Sequence, residues 1–413
     1  MKNIKTFLLV LAIALITVPA TAKVRLGQTK DSTTYDFYGF IRNYFATDSR
    51  QNKMAGEEQF YLYPLDEYLD DNGNDINAAA RIRLLAITTR LGLDITANEL
   101  WGAIPKAKIE ADFNGFSGYP LLCRLRQAYI ELDWGKQDIL IGKTWHPITS
   151  SVMPDVFSLA SGSPFNPFSR TQMVKYTYKK NNLRFIGAAL FQSQYLSVGP
   201  DGASSDYDRN SLSPELYLSA DYKSNNFFFG GGIDLLRLKP RLFYTNNTAT
   251  FKTNDYINSF SGLVYAEYKQ GLFTAKAKSI YAENTAQLFM VSGFAMKEQD
   301  SVGNASYLPM RSQSTWLTAS YGKETKIAAF LGYMKNFGTT ENCTEVYMRG
   351  PTNMDKMFRL SANVMHTYQN LVLGLELENT SVWYGNTINF DSTVTDTHIV
   401  SNLRCCIMVK YLF

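Results

Sequence analysis

Near its C-terminal end the chain reads NLVLGLELENTSVW. As an extended strand this puts Leu371, Leu373, Leu375 and Leu377 on one side and Val372, Gly374, Glu376 and Glu378 on the other, because strand side chains alternate with period two. One such strand also suits a soluble sandwich with the leucines in its core. Recurrence is what discriminates, and the alternation recurs in IPKAKIEADFN, SPELYLSADYK, GLFTAKAKSIY and KMFRLSANVMHTY. Weaker examples lie near residues 35–46, 81–96, 121–133, 137–145, 171–179, 183–194, 226–238, 257–269, 313–322 and 326–337. With the C-terminal segment from His398, the pattern predicts about sixteen strands.

The joints between these segments alternate in length. TANELWG, WGKQ, KKNN, KSNN, KQG, YGKE and YQN are short, whereas longer polar stretches fall around residues 47–80, 146–170, 196–212, 239–256, 285–312, 338–355 and 385–396. Only GFSGYP is short where a long joint is due. Such segregation puts all long loops at one end and all tight turns at the other, which predicts an all-β, transmembrane antiparallel β-barrel with short periplasmic turns and long external loops. Tyr178, Tyr222, Tyr268, Tyr321 and Tyr368 each precede a tight turn on the apolar face. Together they predict an aromatic belt at one lipid–water interface.

Composition refines this picture. Lys2 and Lys5, the apolar run Phe7 to Val18 and the small residues Ala20-Thr21-Ala22 have the form of a secretory signal peptide over 1–22, leaving 23–413 as the barrel. Without that leader the net charge falls from +4 to about +2, too balanced to suggest a nucleic-acid partner. No later segment carries the ~20 apolar residues of a membrane helix. Cys123, Cys343, Cys405 and Cys406 lack the spacing of a disulfide framework or a zinc site, and no clustered metal ligands, phosphate-cradling loop or cofactor motif occurs along the chain.

The ending RCCIMVKYLF places Leu403, Cys405, Ile407, Val409, Tyr411 and Phe413 on one face and stops on an aromatic. It resembles the terminal-strand signal of Gram-negative outer-membrane barrels, and the resemblance implies that Val409, Tyr411 and Phe413 are read by the barrel-assembly machinery. The opening strand YDFYGFIRNYF resembles that of general porins, and IGKTWHP resembles the Gly-Gln-Thr-Trp element of DcaP-like porins, with Lys143 in place of Gln. The resemblance implies the bacterial outer membrane, contact with lipid and lipopolysaccharide, and a homotrimer.

A barrel of this size leaves an aqueous lumen, so passive diffusion of small polar solutes or ions is the expected function. The stretch 146–170 follows the fifth strand and is rich in Pro, Ser and Phe. It is the candidate constriction loop, with Phe157, Phe165 and Phe168 as apolar anchors; the alternative is a surface loop packed on itself. Across a waist, Lys106, Lys108, Arg124 and Arg126 would supply positive charge and Glu110, Asp112 and Asp155 negative charge; the alternative is ordinary lumen charges elsewhere. Facing Arg124 and Arg126 inward would also turn Ala128, Ile130 and Leu132 inward unless a bulge shifts the phase near Gln127.

The pattern is also compatible with two other functional classes. An occluded barrel could act as a surface receptor, adhesin or assembly component through its long loops. His146 near Ser150 and Ser151 admits an outer-membrane hydrolase, but no third residue stands at a recognisable spacing, and no enzyme is expected.

Overall fold

A computed structural model describes residues 23–28, 32–55, 60–86, 88–114, 122–157, 161–246, 249–301 and 303–413. The expected leader, 1–22, and the exceptional GFSGYP joint, 115–120, lie outside them.

Sixteen antiparallel strands close into a barrel. They are β1 (Thr34–Asp48), β2 (Arg81–Leu85 and Arg90–Thr96), β3 (Ile104–Asp112), β4 (Arg124–Asp133), β5 (Gln137–Trp145), β6 (Arg170–Lys180), β7 (Leu183–Phe191) and β8 (Glu215–Lys223). The ring continues through β9 (Phe227–Leu238), β10 (Ile257–Gln270), β11 (Phe273–Glu283), β12 (Arg311–Gly322), β13 (Thr325–Gly338), β14 (Met354–Tyr368), β15 (Leu371–Ile388) and β16 (Val394–Leu412). β1 pairs with β16, with Asn43 opposite Val409, and this closes the ring. Beyond the end of β16, the segment Lys23–Gln28 takes over the edge of β1 by pairing Lys23 with Tyr38 and Gln28 with Thr34.

The usual relation between polarity and burial is inverted. Leu375 and Leu377 are 41% and 52% exposed, whereas Glu376 and Glu378 are each only 4% exposed. A soluble protein would reverse this; here the outer surface is apolar because hydrocarbon solvates it, and charges turn inward. Tyr178, Tyr222 and Tyr321 are exposed on that outer face beside the turns, and Tyr268 and Tyr368 sit there half-buried. Two-residue turns reverse several hairpins, and Asn181 and Gly271 take the left-handed φ of 54° and 57° that such turns require.

The long joints are more ordered than their polarity predicts. The stretch 385–396 is largely strand, since β15 and β16 stay paired through Thr387 with Thr395 and Ile388 with Val394. Polarity marks where a chain leaves the membrane; backbone pairing can continue into water. In the same way, Gly293–Gln299 pairs outside the barrel with both Ala305–Pro309 and Glu345–Met348.

Candidate functional site

The site is the lumen and the loops folded into it. After β5, His146 caps α1 (Pro147–Ser150): its Nδ1 accepts the Ile148 N–H at 3.2 Å, and Pro147 fills the first helical position, where no N–H is needed. Lys278 on β11 donates to the carbonyl oxygens of Ile148 and Thr149 at 2.8 and 3.1 Å. The chain then crosses the barrel. Asp155 pairs with Lys276 and Lys326 at 3.1 Å each, on β11 and β13. Burial pushes the Asp155 carboxyl up, but those two ammonium groups outweigh it and hold the group below the ordinary carboxylate range.

Further along the loop, the Phe157 N–H donates to Glu376 at 2.9 Å, the Ser314 hydroxyl donates to the Phe165 carbonyl at 2.8 Å, and the Trp316 indole donates to Asn166 at 3.1 Å. All these wall groups face inward, so the loop lies inside the lumen with Phe157, Phe165 and Phe168 buried, the placement expected of a constriction loop. Glycines make room for two of the anchors. A Cβ on Gly374 would come within 2.2 Å of the Phe157 ring, and one on Gly332 within 2.7 Å of the Phe165 ring.

Two further loops enter the lumen, and sequence reasoning missed them. Phe60–Pro64 packs inside, where the Leu62 carbonyl accepts from Arg359 and the Pro64 carbonyl from Tyr384, both at 2.6 Å. From the stretch 284–310, Leu288, Phe289 and Met290 join the same apolar cluster, and Phe289 stacks on Tyr195 at 4.2 Å. The signals were FYLYP and LFMV, apolar runs inside joints otherwise read as polar.

The charges expected to face one another across a waist are arranged otherwise. Arg124 binds Asp112 through two nitrogens at 2.7 and 3.0 Å, and Arg126 binds Glu110 at 2.7 Å and Asp112 at 2.5 Å, all on the neighbouring strands β3 and β4. The register shift between Glu110–Gln127 and Ala111–Leu125 is the bulge that lets both arginines point inward while Ile130 points outward. Glu110 and Asp112 therefore neutralise their own wall. Parity assigns a side chain to a face, but strands less than 5 Å apart then decide its partner. Lys106 bonds Asp133 and Lys108 bonds Asp94, each at 2.7 Å, and of the predicted acids only Asp155 stands on the opposite side.

Ring closure assembles a cationic group that the linear pattern does not show. Arg42, Arg90 and Lys410 surround the Phe40 ring at 5.1, 4.9 and 5.3 Å from its centre. Arg42 and Lys410 are directly cross-strand. Among the described residues neither pairs with a carboxylate, while Arg90 reaches Glu110 at 3.5 Å.

Of the histidines, His366 bonds Thr325 at 2.8 Å on the outer face and His398 bonds Asp66 at 2.7 Å. His146 is buried with Nε2 against Glu215 at 3.1 Å, and the Ser150 and Ser151 hydroxyls donate to backbone carbonyls, so no Ser–His nucleophile forms. The chain does gather His146, Glu215 and Asp234 into one buried cluster, which residue spacing alone concealed.

A closed barrel with an apolar outer face, a charged lumen and an inserted loop after the fifth strand has the architecture of an outer-membrane porin. The fold is similar to that of the outer membrane channel DcaP of Acinetobacter baumannii, with a TM-score of 0.70 at 17% identity over 94% of this chain and 99% of that one. OmpT, an outer membrane protein of Vibrio cholerae, matches with a TM-score of 0.57 at 14% identity over 93% and 99%. OmpF of Salmonella typhi, in complex with daunomycin, matches with a TM-score of 0.55 at 12% identity over 94% and 100%. No protein-family model matches the chain, and neither does any curated protein sequence.

Proposed function

We propose that this protein is a non-enzymatic porin of the bacterial outer membrane that passes small hydrophilic solutes by diffusion, with anions favoured. The observation that carries the reading is the loop 146–169, tethered inside the lumen to β11–β15 and, through the Phe157 carbonyl, to Tyr44 on β1, so that it narrows the lumen next to the Arg42, Arg90 and Lys410 group on the adjoining wall. Like charges placed cross-strand repel, and a passing anion relieves that repulsion. Residues 1–22 act as the secretory leader, Val409, Tyr411 and Phe413 serve as the assembly signal, and the five turn-side tyrosines anchor the barrel among lipid and lipopolysaccharide. A homotrimer fits this reading, since OmpT of Vibrio cholerae is also known in a trimer form.

The test is single-channel recording of the purified protein in a planar bilayer under a salt gradient. Discrete steps with an anion-directed reversal potential support the proposal. One observation favours a second reading, an occluded receptor or adhesin: Phe60, Phe165, Phe168 and Phe289 are buried in one apolar cluster inside the lumen. Electrical silence from verified, folded barrels would decide for that reading.

A further inference from the structure

Glu215 opens β8 and Asp234 lies on β9; both face the lumen, and they are 1% and 2% exposed. Their carboxylates and the His146 ring present ligand atoms within 4.8 Å of one another. Glu215 Oε1 meets His146 Nε2 at 3.1 Å and accepts from Gln287 Nε2 at 3.3 Å. Among the described residues no lysine or arginine pairs with either acid. Asp234 Oδ1 and Gln287 Oε1, both buried, have no hydrogen-bond partner. The unmet need is thus entirely for something that receives lone pairs, and two buried carboxylates without a counter-charge are costly. A proton shared between the acids would remove one charge and join Asp234 to Glu215, but would leave the buried Gln287 oxygen without a partner.

His146 is engaged at both ring nitrogens. Its Nδ1 accepts the Ile148 N–H, which leaves Nε2 to donate to Glu215. The ring then has no free lone pair for a metal.

We propose that Glu215, Asp234 and the Gln287 amide oxygen bind a divalent cation of the calcium class, with His146 orienting Glu215 from outside the coordination shell. An all-oxygen donor set suits a hard cation. Oxygens at about 2.3–2.6 Å from such an ion stand up to about 5 Å apart across it, and carboxylate oxygens of Glu215 and Asp234 lie within 4.8 Å of one another. The ion joins β8, β9, the stretch 284–310 and, through His146, the base of loop 146–169. This proposal does not depend on whether the lumen conducts.

The experiment is equilibrium dialysis of the purified full barrel against radiolabelled Ca2+, with thermal unfolding in Ca2+ and in EDTA. Wild type is expected to hold one ion more than Asp234→Asn, to bind it at about millimolar Kd or tighter, and to melt higher in Ca2+. Should Asp234→Asn fail to fold, Gln287→Met, which keeps both carboxylates, is expected to weaken binding about tenfold. His146→Gln, still able to donate to Glu215, is expected to keep the ion. Equal ion counts in wild type and variant, or a melting point indifferent to Ca2+ and EDTA, would overturn the site in favour of a shared proton. Binding of Zn2+ but not Ca2+, lost in His146→Gln, would overturn the oxygen-only assignment.

Discussion

At Asp155 burial and ion pairing oppose one another, and the two lysines win, so the carboxyl stays ionised below the usual range. A depressed acid contributes stability that is present above its unfolded value of about 4 and lost as pH falls through its folded value. The tether to Lys276 and Lys326 is therefore expected to be constant from neutral pH down to about 4 and to fail only below it. Asp155→Asn should loosen the loop by about 2 kcal/mol at neutral pH and remove the acid-induced change, read as current flicker across a pH series; identical profiles for variant and wild type would exclude this tether. Asp208 has the opposite sign. Burial pushes its carboxyl up to about 6, against the Gln192 N–H that holds the charged form. The native state keeps this proton longer than the unfolded chain, so stability declines as pH rises from about 4 through 6. Asp208→Asn is expected to stabilise the 192–214 loop at pH 7.5 by about 2 kcal/mol and by little at pH 4, measured as protease resistance. Neither residue's behaviour is legible in sequence. Asp155 was legible as a lumen charge, but its partners are on strands more than a hundred residues away.

For single elements, the fit between glycine and phenylalanine sets where loop 146–169 rests. Gly374 sits in the strand LVLGLELE among larger lumen-facing residues, and the close approach of Phe157 explains why no side chain is tolerated there. Gly374→Val is expected to push Phe157 off the wall, costing about 1–3 kcal/mol and altering conductance while the barrel remains heat-modifiable. Unchanged conductance from a folded variant would place the loop elsewhere. The strands themselves were legible because lipid on one side and water on the other impose a period-two pattern along every strand. The inserted segments were not, because Phe60–Pro64 and Leu288–Met290 satisfy no period. Their apolar side chains fill the lumen through contacts with other loops, such as the Phe168 ring, whose centre lies 5.6 Å from that of Phe60 and 6.3 Å from that of Phe289.

For the molecule as a whole, closure brings both the proposed assembly signal and the proposed selective group to one seam. The last residue completes the seam: the Phe413 N–H donates to the Gly39 carbonyl at 3.1 Å, the Gly39 N–H donates to the Phe413 carbonyl at 3.0 Å, and the two phenyl rings of Phe37 and Phe413 lie 6.0 Å apart. Phe413→Ala is accordingly expected to reduce the yield of folded barrel far more than Leu377→Ala, which removes one lipid contact; equal yields would separate the seam from assembly. The same closure brings Arg42 and Lys410, 368 positions apart, into direct cross-strand register. Arg124 and Arg126 were recognisable from sequence as lumen charges, yet their own acids largely cancel them. Field in the lumen comes from charges without such partners. Replacing Arg42 and Lys410 by glutamine should therefore shift the reversal potential toward cations more than replacing Arg124 and Arg126. The second pair of substitutions should instead destabilise the barrel, since it strands Asp112 as a buried, uncompensated acid and leaves Glu110 only Arg90 as a cationic partner. A larger potential shift from Arg124 and Arg126 would move the selective region from the β1–β16 seam to the β3–β4 wall.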